Sequence, residues 1–87
     1  MKHLLSIEYC TTWGYLEEAV SLTQRILKEH KSNIEQFVLI PSSGGVFEVS
    51  FNDELIFSKK KENRKPEIGE VEKIITEKME IDSPFGF

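Results

Sequence analysis

Cys10 is the only thiol in the sequence, and it stands in the stretch IEYCTTWGY, where an apolar run gives way to a helical pattern. A cysteine placed between a strand and a helix N-terminus has a defined chemistry. The helix end lowers the thiol pKa, and the thiolate that results is a nucleophile. Thr11 and Thr12 offer such a thiolate hydroxyls and backbone N–H groups, or a threonine there simply caps the helix. Trp13 reads in two ways. It presents an exposed aromatic surface to a peptide, or it packs over the helix start and shields the thiol, which would raise its pKa. One cysteine forms no internal disulfide and no CxxC zinc site. Exchange chemistry normally uses a second thiol to release the mixed disulfide. With Cys10 alone, that thiol must come from another molecule. Tyr9 and Tyr15 read as core residues framing the motif. His3 and His30 are both remote from Cys10, so neither serves it as a base and the two make no metal site. No Ser–His–Asp set, phosphate loop or nucleic-acid motif is visible.

The elements that must position Cys10 follow from periodicity. Residues 3–9 (HLLSIEY) alternate partially and read as a strand. Residues 14–30 place Leu16, Ala19, Val20, Thr23, Ile26, Leu27 and His30 at helical spacing, with Glu17 and Glu18 in the first turn. Residues 33–40 (NIEQFVLI) are β-rich and close at Pro41. Gly44-Gly45 opens VFEVSF, and Asn52-Asp53 separates it from ELIFS, a hairpin. Pro66 is expected to start a last helix with the stripe Ile68, Val71, Ile74, Ile75 and Met79. A single domain over 1–80 results, with 81–87 (IDSPFGF) as a flexible tail whose Phe85 and Phe87 are free to dock.

The order β-α-β-β-β-α makes the first unit a right-handed parallel crossover. Only Pro41 to Gly45 joins strands two and three, too short for a parallel connection, so strand three runs antiparallel. The hairpin register reports on layering. A two-residue loop sets Val49 opposite Ile56 and mixes polar with apolar side chains. A three-residue loop, Phe51 to Asp53, puts Phe47, Val49, Phe51, Leu55 and Phe57 on one face, with Val46, Glu48, Ser50, Ile56 and Ser58 on the other. The cleaner partition favours the second. One apolar face implies both helices on one side: a two-layer α/β sandwich.

Composition bounds the function. Eighty-seven residues hold one core. A formal net charge of −4 argues against nucleic acid as the main partner. No apolar stretch approaches a membrane span, and MKHLLSIEYC, broken by Ser6 and Glu8, does not read as a signal peptide. A reducing cytoplasm is the expected location, with no metal or nucleic acid partner.

The segments IEYCTTWGY, PSSGGVFEVSFNDELIFSKK and KPEIGEVEKII together resemble the selenoprotein W-related (Rdx) family over residues 4 to 79. The resemblance implies a thioredoxin-like fold, a mixed four-stranded sheet ordered 2-1-3-4, and a redox motif after the first strand. Cys10 matches the family's first cysteine. Trp13 stands where the family has its second cysteine or selenocysteine, so that role has no residue here. In the implied strand order, the link from strand two to strand three passes over the end of strand one. Two inter-strand gaps span roughly 10 Å, and five residues reach at most about 17 Å. Pro41, Ser42, Ser43, Gly44 and Gly45 should then lie beside Cys10, with Gly14 just past it. Their amides are available to a peptide-like thiol, or the stretch is a plain crossover turn. KKKENRK (residues 59–65) holds five of the eleven basic residues and falls on the same rim. It attracts the carboxylates of glutathione or of an acidic partner and weakly favours a thiolate, or is a solvated loop.

Two functions of different kind follow. One is a monothiol redox protein resembling selenoprotein W, with Cys10 forming mixed disulfides with glutathione as co-substrate or with a thiol-containing protein, and no bound cofactor. The other is a non-catalytic thioredoxin-like interaction module that has lost redox cycling. A third option is a sensor, in which oxidation joins Cys10 of two chains.

Overall fold

Alternation in HLLSIEY produces β1 (His3–Cys10), with Leu5, Ile7 and Tyr9 buried on one face and Leu4, Ser6 and Glu8 on the other. The computed structural model describes residues 3–81. After β1 come α1 (Tyr15–His30), a 3-10 turn (Lys31–Asn33), β2 (Ile34–Ser42), β3 (Phe47–Phe51) and β4 (Glu54–Ser58). A one-turn helix, α2 (Lys59–Glu62), and then α3 (Glu70–Ile81) complete the order. The strands form one sheet in the order β2-β1-β3-β4. β1 runs parallel to β2 and antiparallel to β3, and β4 is antiparallel to β3. The expected two-layer α/β arrangement is the one observed.

Ala19, Leu22 and Ile26 of α1 and Val71 and Ile75 of α3 meet Leu5, Ile7, Phe47, Val49, Phe51 and Phe57 in one core. Arg25 Nε donates to Glu72 Oε2 at 2.7 Å, and His30 Nε2 lies 3.1 Å from Thr76 Oγ1. These contacts hold α1 and α3 side by side and parallel, both on one face of the sheet. At the opposite end from Cys10, His3 stacks on Phe51 and its Nδ1 lies 2.9 Å from Asn52 Nδ2. Both histidines are therefore engaged in the fold, far from the thiol.

Several elements differ from their sequence expectation. α1 buries Tyr15, Ala19, Leu22 and Ile26, and Leu16 and Val20 of the expected stripe lie exposed. The helix has rolled so that the Tyr15 ring meets Phe47 edge-on at 6.4 Å. The hairpin loop is two residues long, with Asn52 and Asp53 both at positive φ (50° and 70°). That geometry matches the right-handed twist of the flanking strands. A bulge at Ile56 then shifts the register, so Val49 faces Phe57 and Ser50 faces Leu55. The bulge keeps Phe57 in the core and turns Leu55 outward, 45 % exposed. The sequence register had placed Leu55 inside.

β2 does not close at Pro41. It continues through Pro41 and Ser42, paired to Tyr9 and Cys10, because an edge strand tolerates a residue with no N–H on its open side. The link to β3 is therefore four residues, Ser43 to Val46. The last helix begins at Glu70, four residues after Pro66, since Gly69 takes φ 84° and interrupts the helical path. Ile68 leaves the expected stripe and is 98 % exposed. Of the expected tail 81–87, Ile81 ends α3, and residues 82–87, with Phe85 and Phe87, lie outside the described residues.

The bulged register makes a direct stability prediction. Phe57→Ala should cost about 3–5 kcal/mol in urea unfolding, whereas Leu55→Ala should stay within about 0.5 kcal/mol. Comparable losses for both would restore the three-residue loop.

Candidate functional site

The last residue of β2 and the last residue of the β2–β3 link clamp the end of β1 between them. Cys10 N donates to Val46 O at 2.9 Å and Thr11 N to Ser42 O at 3.1 Å. Strand pairing thus reaches Cys10 on the β3 side and Thr11 on the β2 side, and Cys10 is only 3 % exposed. Gly45, at φ 73°, brings its amide to the sulfur. A Cβ there would sit 3.6 Å from the Trp13 ring and 3.8 Å from Lys59 Nζ, so Trp13 and Lys59 both border the same glycine.

Between the thiol and α1 the chain makes a tight turn. Tyr15 N donates to Thr12 O at 3.4 Å, across Trp13 and Gly14 at φ 61° and 77°. Trp13 is not a residue that readily adopts positive φ, and its side chain is 77 % exposed. The reading in which Trp13 buries itself over the helix start does not hold. The first intrahelical acceptor is Gly14 O, which takes Glu18 N–H at 3.4 Å, so Gly14 occupies the cap position. Neither threonine does. The Thr12 hydroxyl instead lies 3.1 Å from Cys10 Sγ.

The thiol pKa is held below its ordinary value, chiefly by the Thr12 hydroxyl and then by the Thr12 amide. Burial works in the other direction, and the Gly45 amide and the Lys59 charge add to the lowering. Local donors carry the effect, where the sequence had pointed to the helix end.

Lys59 opens α2, which is held by two contacts of the strand before it. Ser58 Oγ accepts from Lys61 N at 3.1 Å and donates to Glu48 Oε1. Lys59 Nζ and Lys65 Nζ approach the Tyr15 ring at 5.8 and 5.3 Å, and Lys65 also pairs with Glu18 Oε1 at 3.4 Å. The loop beyond α2 is fastened by Arg64, whose two amino groups donate to both oxygens of Glu70 at 2.7 and 2.8 Å. That guanidinium, with the Glu67 amide, pulls the Glu70 carboxyl down to about 2.

The structure therefore brings Cys10, Thr12, Ser42 and Gly45 together, with Trp13 and Lys59 at the margin. Thr11 contributes its amide to Ser42 and Gly14 starts the helix. Pro41, Ser43 and Gly44 lie exposed along the rim. The basic run is in part a helix, and only Lys59 of it acts on the thiol. Sequence reasoning did not single out Lys59. The available signal was its place as the first residue past a strand ending on the Cys10 rim. Among the described residues, no three His, Cys, Asp or Glu side chains gather as a metal site requires, and no helix is long and apolar enough to cross a membrane.

A sheet ordered 2-1-3-4, two covering helices on one face and a thiol closing the first strand define a thioredoxin-like domain with one cysteine in place of two. Comparison with known proteins is more specific. The Rdx family matches residues 4–77, and the chain belongs to that family. Its fold is similar to that of a selenoprotein W-related protein from Vibrio cholerae, at 27% identity and TM-score 0.82, over 88% of this chain and 96% of that one. A protein from Bordetella parapertussis shares the fold at 22% identity and TM-score 0.81, over 88% of this chain and 98% of that one. None of the curated proteins compared with the chain matches it.

Thr12→Val should raise the pH midpoint of Cys10 alkylation, and Lys59→Gln should raise it less and in a salt-dependent way. An unchanged midpoint in Thr12→Val would remove the hydroxyl from the account.

Proposed function

We propose that the protein is a monothiol redox protein in which Cys10 exchanges disulfides with glutathione or with a partner protein's thiol. The observation that carries this reading is the convergence of donors on Cys10 Sγ, with the Thr12 hydroxyl at 3.1 Å and the Gly45 amide and Lys59 beside it. Donors of this kind stabilise the thiolate more than the thiol. In the first step the Cys10 thiolate attacks one sulfur of oxidised glutathione. The old S–S bond breaks, a Cys10–glutathione disulfide forms, and one glutathione leaves as a thiolate that takes up a proton. A partner protein's thiolate then attacks the glutathione sulfur of that adduct, releases Cys10 as a thiolate and carries the glutathione away as its own mixed disulfide. Because Cys10 is nearly covered, attack requires the exposed turn from Thr11 to Gly14 to move. The rim of Ser43, Gly44 and Trp13 is the surface on which the incoming disulfide rests, with the Gly45 amide and the Thr11 and Thr12 backbone lining it. A reducing cytoplasm supplies the thiol that the second step consumes.

A second reading is favoured by burial of Cys10 beside a largely exposed Trp13. In it the domain is an interaction module, with Trp13 as anchor and no exchange at Cys10. Partners captured equally by wild type and Cys10→Ser would support that reading, and loss of every partner in Cys10→Ser would oppose it.

The redox reading is tested by mass spectrometry of the folded protein after exposure to oxidised glutathione. Wild type should carry one glutathione on Cys10, and Trp13→Cys should form an internal disulfide between positions 10 and 13. Modification of the urea-unfolded chain alone would show that the folded thiol is inert.

A further inference from the structure

The two edges of the sheet are built differently. β4 is five residues long, is bulged at Ile56, and runs directly into α2. Short length and a bulge are the features that keep an edge from pairing with another chain. β2 is nine residues long and, among the described residues, has no strand along its outer side. Its one irregularity is at Glu35, which is left between the pairs His3–Ile34 and Leu4–Gln36. From Gln36 onward it is regular, and Pro41 is the next residue unable to donate outward. The free edge is thus the five residues Gln36 to Ile40, with no charge among them. Val38 and Ile40 are exposed on the helix-free face, and Phe37 and Leu39 are half-buried on the other. No lysine, proline or bulge interrupts this stretch.

We infer that this edge is the interface between two copies of the chain, paired antiparallel through β2 about a two-fold axis at Val38. The occupant follows from the symmetry of the stretch. A two-fold at Val38 sets Val38 against itself, Phe37 against Leu39, and Gln36 against Ile40. The next pair is Glu35 with Pro41, so the bulge of one copy meets the proline of the other at both ends. The features that end pairing stand three residues either side of the axis, which an isologous interface requires and a foreign strand does not. Charge agrees. Each copy carries a net charge of −4, yet the one carboxylate on β2 falls at the margin and never opposes its own copy.

A strand edge alone is a small interface, and the structure continues it. On the helix side, Val20, Thr23, Gln24, Leu27, Lys28 and Leu39 line an open groove of about 670 Å³ between α1 and β2. The exposed Val20 that α1 leaves out of the core is in this groove. The two-fold lays α1 of one copy antiparallel to α1 of the other, so the Val20 end of each groove meets the Leu27 end of its mate. Main-chain hydrogen bonds then hold the strands in register, and the apolar groove residues lose water across the axis.

The test is oligomeric state by sedimentation and light scattering across a concentration series, with full-length protein. Wild type should reach twice the chain mass. Val38→Lys and Val38→Glu each place like charges against themselves on the axis, and each should halve that mass with an unchanged near-UV spectrum. Mixed in equal amounts, the two variants should recover the dimer mass, because position 38 faces position 38. Leu55→Lys, on the opposite edge, should leave wild-type mass unchanged. A monomeric wild type at its highest soluble concentration would overturn the inference. So would dimers that survive both Val38 variants, a mixture that stays monomeric, or dissociation by Leu55→Lys.

Discussion

The link from β2 to β3 has four residues in which to cross the end of β1, and the site is a consequence of that crossing. A longer link would arch over the strand and leave it to solvent. This one must run against it, so the pairing of β1 is completed on both sides: Val46 O of the link takes the Cys10 amide and Ser42 O, at the end of β2, takes the Thr11 amide. The tight path also demands φ 73° at position 45, next to the Trp13 ring, where a side chain would be strained by the backbone conformation alone. Glycine there lets a backbone amide reach the sulfur. The crossover and the chemistry are two descriptions of the same constraint.

Opposing influences meet at Cys10. Cover by the link and by the turn into α1 desolvates the thiol and favours its neutral form, whereas hydroxyl, amide and ammonium groups favour the thiolate. The donors come from three places in the chain: the turn after β1, the crossing link, and the first residue of α2. Lys59 is kept there by the Ser58 cap on α2 and by the face of Tyr15, and the Arg64–Glu70 pair fastens the loop behind it. Trp13, three residues past the thiol, stands in a left-handed conformation, exposed, with no thiol of its own. The domain thus surrounds its one thiol with donors that favour the thiolate, and the chain holds no second cysteine.

Much of this was legible in the chain itself. The parallel crossover followed from a helix between two strands, and the reversal at strand three followed from a short connection. The resemblance in IEYCTTWGY and GGVFEV supplied the strand order, from which the approach of Ser42 and Gly45 to Cys10 could be argued. The hairpin was not legible, because a bulge and a two-residue loop give a face pattern that a three-residue loop imitates. The pairing tells them apart: Phe51 pairs with Glu54 of β4, and Asn52 continues the ladder to β1 by bonding Leu4. The α1 stripe was displaced because Leu16, Val20 and Leu27 have the same spacing as the residues that are buried, and the partner sheet decides between them. Thr12 looked like a helix cap because a left-handed pair at Trp13 and Gly14 is invisible to propensity, although it moves the cap two residues on.

The central claim is that the fold makes Cys10 a better thiolate than free cysteine despite covering it. The most direct measurement is the rate of Cys10 alkylation in the folded wild-type protein as a function of pH. The account predicts a complete reaction with a midpoint below that of free cysteine. A midpoint at or above that of free cysteine, or a thiol that reacts only after unfolding, would contradict it.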